Sequence, residues 1–144
     1  MGRYYQTNNH EGKFGFAVQD SNDPEIFGMT EDQSVIHYYM SSDKKDKVKK
    51  VLDEQYDILG INKKDRVYVY DADKIDHVLG ISHDKNYHDY NKAKDKEIPV
   101  AFNDGRVMVA NNKDIELAEY RVLLGTKIMY DLENDGYCSL EAEC

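Results

Sequence analysis

From Ile115 to Leu132 the apolar residues Ile115, Ala118, Val122, Gly125, Met129 and Leu132 step by three, four, three, four and three. Only an α-helix carries that spacing on one face. Leu117, Leu124 and Ile128 widen the stripe, so the helix must be covered along most of its length. Asn112 suits its cap, Asp114 and Glu116 put negative charge in the first turn, and Asn134-Asp135-Gly136 suits its end. Gly125 at mid-helix costs roughly 1 kcal/mol against alanine, and close packing of another backbone there would offset it.

A second stripe, Val48, Val51, Leu52, Tyr56 (or Gln55) and Leu59, predicts a helix opened by Ser42 and Asp43 and stopped by Gly60. Lys44, Lys45, Lys47, Lys49 and Lys50 crowd its first turns, where the backbone dipole favours anions, and Asp43 and Asp46 offset part of that cost. The lysines read as a solvated face or as a patch facing phosphate.

Shorter segments follow a period of two. Residues 13–19 alternate, with Phe14, Phe16 and Val18 on one face and the small Gly15 and Ala17 on the other. Asp23, Pro24 and Gly28 frame a single helical turn anchored by Ile26 and Phe27. Residues 34–40 are β-branched and aromatic and predict a near-central strand apolar on both faces, with His37 aligned with Val35 and Tyr39. Residues 66–70 predict a strand, and Asp73 predicts the cap of a short helix through Ile75, Val78 and Leu79 to Gly80. Residues 82–97 hold almost no aliphatic side chain and predict a surface excursion or a solvated helix. Residues 98–110 predict a hairpin about Asn103-Asp104-Gly105, with Pro99 pushing its first arm to an edge. Residues 137–143 alternate again and predict a closing strand beside the Phe14 strand. The sum is one α+β domain over residues 1–144, an antiparallel sheet with the two main helices packed on one face.

The chain has 144 residues, with 19 Lys plus Arg against 28 Asp plus Glu, a net charge of −9. That length suits one modest core. The acidic balance argues against nucleic acid as a partner, since such binding rests on cations that neutralise phosphates. Residues 113–144 carry eight acids and three bases, a local −5 that suits either solvation or a basic partner. No run approaches 18 apolar residues and the opening stretch lacks an apolar core, so neither a membrane helix nor a secretory signal is expected. Cys138 and Cys144 would share one strand face too far apart to bridge, so neither a disulfide nor zinc is expected, and a reducing, intracellular setting fits. Twelve Tyr with no Trp suit the half-buried edge of a small core or a recognition surface.

The motifs of phosphate loops, dinucleotide sites and nucleophile elbows are missing, so no catalytic residue, metal site or cofactor is assigned. Residues 71–76 begin like a calcium loop but place Ile75 and Asp76 where an acceptor and a glycine are needed. His77, His83, Asp84, His88 and Asp89 form the richest polar cluster, yet His83 and His88 are five apart and do not stack on a helix. Candidate binding residues are Arg3, Tyr4, Tyr5, His10, Lys13 and His37, lining a cleft on the small-residue face of the Phe14 strand.

The opening, Met1-Gly2-Arg3-Tyr4-Tyr5 with Glu11-Gly12-Lys13-Phe14-Gly15-Phe16-Ala17-Val18-Gln19, resembles that of a group of small uncharacterised proteins encoded by large DNA viruses and phages. The close, Gly136-Tyr137-Cys138-Ser139-Leu140-Glu141-Ala142-Glu143, resembles the end of the same group. The resemblance covers roughly the first 40 and the last 30 residues, leaving the middle unmatched. It implies a viral origin and a place in the cytoplasm of an infected host, and no activity. The expectation is an accessory protein that binds a host or viral macromolecule, a protein foremost, without catalysis. The alternatives are a nucleotide or small-molecule binding protein, hydrolytic or not, and a minor virion component. The oligomeric state is left open.

Overall fold

The computed structural model describes residues 3–7, 17–18, 23–32, 37–86, 97–102 and 104–143. In chain order these form β1 (Arg3–Thr7), β2 (Ala17–Val18), α1 (Asp23–Ile26), β3 (Thr30–Asp32), β4 (His37–Ser41), α2 (Lys45–Leu59), α3 (Ala72–Asn86), β5 (Ile98–Ala101), β6 (Val107–Ala110), α4 (Asn112–Asp135) and β7 (Tyr137–Glu143). The protein is an α+β domain, and its antiparallel sheet carries α2 and α4 on one face.

The two stripes fold as their spacing dictates. Along α2, Val48, Val51, Leu52, Gln55, Tyr56 and Leu59 are buried, and Gly60 ends the helix in the left-handed conformation at φ 72°. Along α4, Ile115, Ala118, Val122, Gly125, Met129 and Leu132 are buried. The cap of α4 lies one residue earlier than expected. Asn111 accepts from the Asp114 backbone N–H (3.0 Å), while the Asp114 carboxylate accepts from the Asn111 N–H (2.9 Å).

The contact between α2 and α4 is the most extensive in the fold. It leaves no room at Gly125, where an added Cβ would lie 2.5 Å from the Phe27 ring and 2.6 Å from a Leu52 methyl. Side chains, rather than the backbone expected from sequence, fill that gap. The single turn α1 delivers Phe27, which is fully buried.

The main sheet runs β2-β1-β7-β4-β3, antiparallel throughout. The two chain ends do pair, but β7 lies beside Arg3–Thr7, and the Phe14 strand, described only as β2, is one strand further out. Tyr38 pairs with Leu140 and Met40 with Cys138, and all four are buried toward the helices. Tyr39, one residue along, is 49% exposed, so β4 is apolar on one face and not on both. Residues 33–36 lie outside the described residues.

Three further expectations change. Residues 66–70 form no strand and join no sheet. The short helix expected to end at Gly80 runs on to Asn86, and Asp71, not Asp73, accepts at its start from the Lys74 N–H (3.2 Å). The segment from residue 82 begins as the last turn of α3, where Ser82 and Asn86 are buried; residues 87–96 lie outside the described residues. The hairpin forms as expected, but as a separate two-stranded sheet, β5 with β6.

Gly125→Ala tests the close approach. Alanine favours helix by about 1 kcal/mol, while overpacking a filled core costs about 1–3 kcal/mol. Contacts near 2.5 Å put this site at the costly end, so urea unfolding should show a net loss of about 1–2 kcal/mol. A more stable variant would mean that Phe27 has room to retreat.

Candidate recognition groove

The connection from α2 to α3 carries a buried arginine. The Arg66 side chain is 5% exposed. Its Nη1 meets Asp53 Oδ1 at 3.1 Å and its Nη2 meets Asp57 Oδ1 at 2.8 Å. Nε and Nη2 also donate to the Ile61 carbonyl at 3.1 and 3.0 Å. Asp53 and Asp57 stand four apart on α2, one turn above another, so a planar guanidinium can span them. Tyr68 adds a hydrogen bond from its hydroxyl to Asp53 Oδ1 at 2.5 Å.

Tyr56 explains why residues 66–70 form no strand. Its hydroxyl donates to the Val67 carbonyl at 2.5 Å and accepts from the Val67 N–H at 3.1 Å. Both backbone groups of Val67 are satisfied by one side chain, and the Tyr70 N–H bonds the Thr126 carbonyl at 3.0 Å. A ladder partner is not needed. The Tyr56 and Tyr68 rings meet edge to face, 6.2 Å apart.

Next to this hub lies a groove of about 320 Å³. The α2 wall is Asp46, Lys49, Lys50, Asp53, Glu54 and Asp57, which recur every three or four residues along one helix face. The opposite wall is the end of the hairpin, Phe102, Asp104 and Arg106. The Arg106 guanidinium lies 4.7 Å from the centre of the Phe102 ring. It bonds Asp104 at 2.7 Å and faces Glu54 at 3.5 Å. The Arg106 backbone N–H, with its side chain, holds the Asp104 carboxyl below the usual range. Lys49 lies over the Tyr68 ring at 5.3 Å.

The sequence candidates fall elsewhere. Arg3, Tyr4 and Tyr5 lie on β1, inside the main sheet. His37 pairs with Asp32 on one side and Glu141 on the other, and Glu141 pairs in turn with Gln6. By register, Gln6 and His37 both align with Glu141, so β1 and β4 reach it from either side of β7. His10 and Lys13 lie outside the described residues.

Of the histidine cluster, His77 and His83 are exposed on α3, and His88 and Asp89 lie outside the described residues. His83 Nε2 is 3.4 Å from Glu119, which also accepts from the Ser82 hydroxyl at 3.0 Å. Burial raises the Glu119 pKa against the pull of His83. Cys138 is buried and donates to Asp131 at 3.4 Å, and burial pushes its thiol pKa up. Among the described residues no group of three or more His, Cys, Asp or Glu is placed to hold a metal ion. No helix is long and apolar enough to cross a membrane among those residues.

Sequence reasoning missed the groove because its residues come from a helix face read as solvated or as facing phosphate, and from a turn read as connecting. One signal was present: carboxylates four apart at Asp53 and Asp57, followed by a lone Arg66 in an apolar run. Comparison with known proteins gives no match to a family model, a curated protein or a solved structure.

Two outcomes test the hub. Arg66→Met leaves two carboxylates and the Ile61 carbonyl without their donor, so thermal unfolding should show a loss of about 3 kcal/mol or more; a loss under about 1 kcal/mol would show that water replaces the guanidinium. Burial, foremost, pushes the hydroxyls of Tyr56 and Tyr68 up to about 12, from 10.0. Their contribution to stability is complete below pH of about 10 and lost as pH rises toward about 12. Absorbance at alkaline pH should show these two tyrosines ionising at about pH 12. Tyr56→Phe should flatten part of that loss and cost about 1–3 kcal/mol at neutral pH.

Proposed function

We propose that this chain is a binding protein without a catalytic role, and that the groove between α2 and the hairpin receives a segment of a host or viral protein. The observation that carries the reading is the arrangement around Phe102. A half-buried ring lies at the groove with Arg106 stacked beside it and charged side chains around it. An apolar centre inside a polar rim is the anatomy of a recognition surface. Asp53 and Asp57 are held by Arg66, and Glu54 and Asp104 by Arg106, so the walls are fixed before a partner arrives. Preorganisation of this kind lowers the cost of ordering on binding.

Five carboxylates and three cations line the groove, a balance of −2. That favours a polypeptide with basic side chains over a phosphate backbone. The resemblance of the chain ends to small proteins of large DNA viruses supports a partner met in the cytoplasm of an infected cell. A second reading, small-molecule binding, draws support from the volume, which lies at the low end of the usual range for ligand pockets.

Phe102→Ala separates these from a passive surface. Aromatic anchors at the centre of an interface cost about 2 kcal/mol or more when truncated. A partner captured by the full chain from infected-cell lysate should then fall about thirtyfold in recovery, with the unfolding temperature checked in parallel. Equal recovery at equal stability would remove the groove from function. A nucleotide panel should leave the unfolding temperature unchanged. A shift of about 2.7 kcal/mol at a hundredfold excess over the dissociation constant would establish the second reading instead.

A further inference from the structure

The hairpin presents a second feature, on the side away from the groove. The Phe102 N–H donates to the Arg106 carbonyl at 2.8 Å. In an antiparallel pair, bonded and non-bonded positions alternate. Phe102–Arg106, Val100–Met108 and Ile98–Ala110 are therefore the bonded pairs, and Val100 and Ala110 are buried on that face. The intervening pairs, Pro99–Val109 and Ala101–Val107, turn their backbone N–H and C=O groups outward along the two edges. Their side chains are exposed, Val107 at 72% and Val109 at 58%.

An open strand edge invites another chain, and proteins blunt such edges. Three of the four edges in the described sheets are blunted. The β2 edge has two residues, the β3 edge ends in Glu31 and Asp32, and the β5 edge lacks a donor at Pro99. The β6 edge has no proline and no charged residue. Among the described residues, no hydrogen bond reaches the outward backbone groups of Val107 and Val109.

We infer that the β6 edge binds an extended segment of a partner polypeptide as a third strand, with apolar side chains at alternate positions and basic residues at its ends. The outward N–H and C=O groups supply the ladder, and the exposed valines set the alternation. The basic ends follow from charge. The chain carries −9, so a cationic segment gains and a second copy is opposed. This site is independent of the groove, because Phe102 and Arg106 lie on the opposite face of the ribbon.

The test uses the full chain and a short peptide of alternating valine and threonine flanked by lysines. Amide exchange at Val107 and Val109 should be fast in the free protein and slow by about tenfold or more with saturating peptide, the scale of a few ladder hydrogen bonds. A peptide N-methylated on its bonding edge should bind at least about tenfold more weakly. Val109→Pro should match that loss, and the methylated peptide keeps the test intact if this variant misfolds. Slow exchange in the free protein at every concentration, or indifference to N-methylation, would overturn the site. Equal binding of a glutamate-flanked peptide would overturn the charge selection. Protection that grows with protein concentration, with a dimer in sedimentation, would overturn the hetero-partner in favour of a second copy.

Discussion

The rest of the structure depends on the packing of Phe27 and Leu52 against Gly125 of α4. A glycine in mid-helix weakens the helix, and here the missing side chain is what lets Phe27 and Leu52 meet over the α4 backbone. Leu52 belongs to α2 and Phe27 follows α1, so three elements converge on one absent methyl group. On the sheet side, α4 turns into β7 through Gly136, at φ 78°, and β7 pairs on both edges, with β1 and with β4. Helix pair and sheet are thus positioned by one helix and the strand that continues it.

From that anchor the groove follows by way of the C-terminal end of α2. The last carbonyls of a helix lack intrahelical donors. Here side chains take part of the task. The Asn86 amide reaches the Leu59 carbonyl at 3.2 Å, the Lys85 ammonium reaches Gly60 at 2.9 Å, and Arg66 reaches Ile61. Two of these donors come from the end of α3, so the termination of α2 also fixes α3. The third, Arg66, ties the same end to Asp53 and Asp57 on the groove wall. Polar groups that satisfy the backbone therefore also hold the recognition surface in shape.

Much of this frame is legible in the chain itself. The helix stripes, the stop at Gly60 and the turn at Gly105 follow from periodicity and from residues that tolerate positive φ. Two of the differences share one cause. Residues 66–70 carry the β-branched and aromatic composition of a strand, yet Tyr56, eleven residues earlier, supplies the hydrogen bonds that a ladder would have supplied. The continuation of α3 past Gly80 is of the same kind. No atom lies within 4 Å of a side chain placed on that glycine, while Ser82 donates to Glu119 on α4 and Asn86 to the Leu59 carbonyl of α2. Residues distant in sequence decide both cases, and a local pattern cannot report them.

The hairpin stands apart from the main sheet. With Val67 satisfied by Tyr56 and Tyr70 by the Thr126 carbonyl, residues 66–70 are tied to α2 and α4 and join neither sheet. The β5–β6 ribbon has only its own two strands. Such a ribbon is marginal alone and relies on one face packed against the helices, here through Val100 and Ala110. Packing one face leaves the other free, and pairing two strands leaves two edges. Proline closes one of those edges and nothing among the described residues closes the other. An exposed β6 edge is thus a consequence of a ribbon that holds only two strands, one of them closed by Pro99.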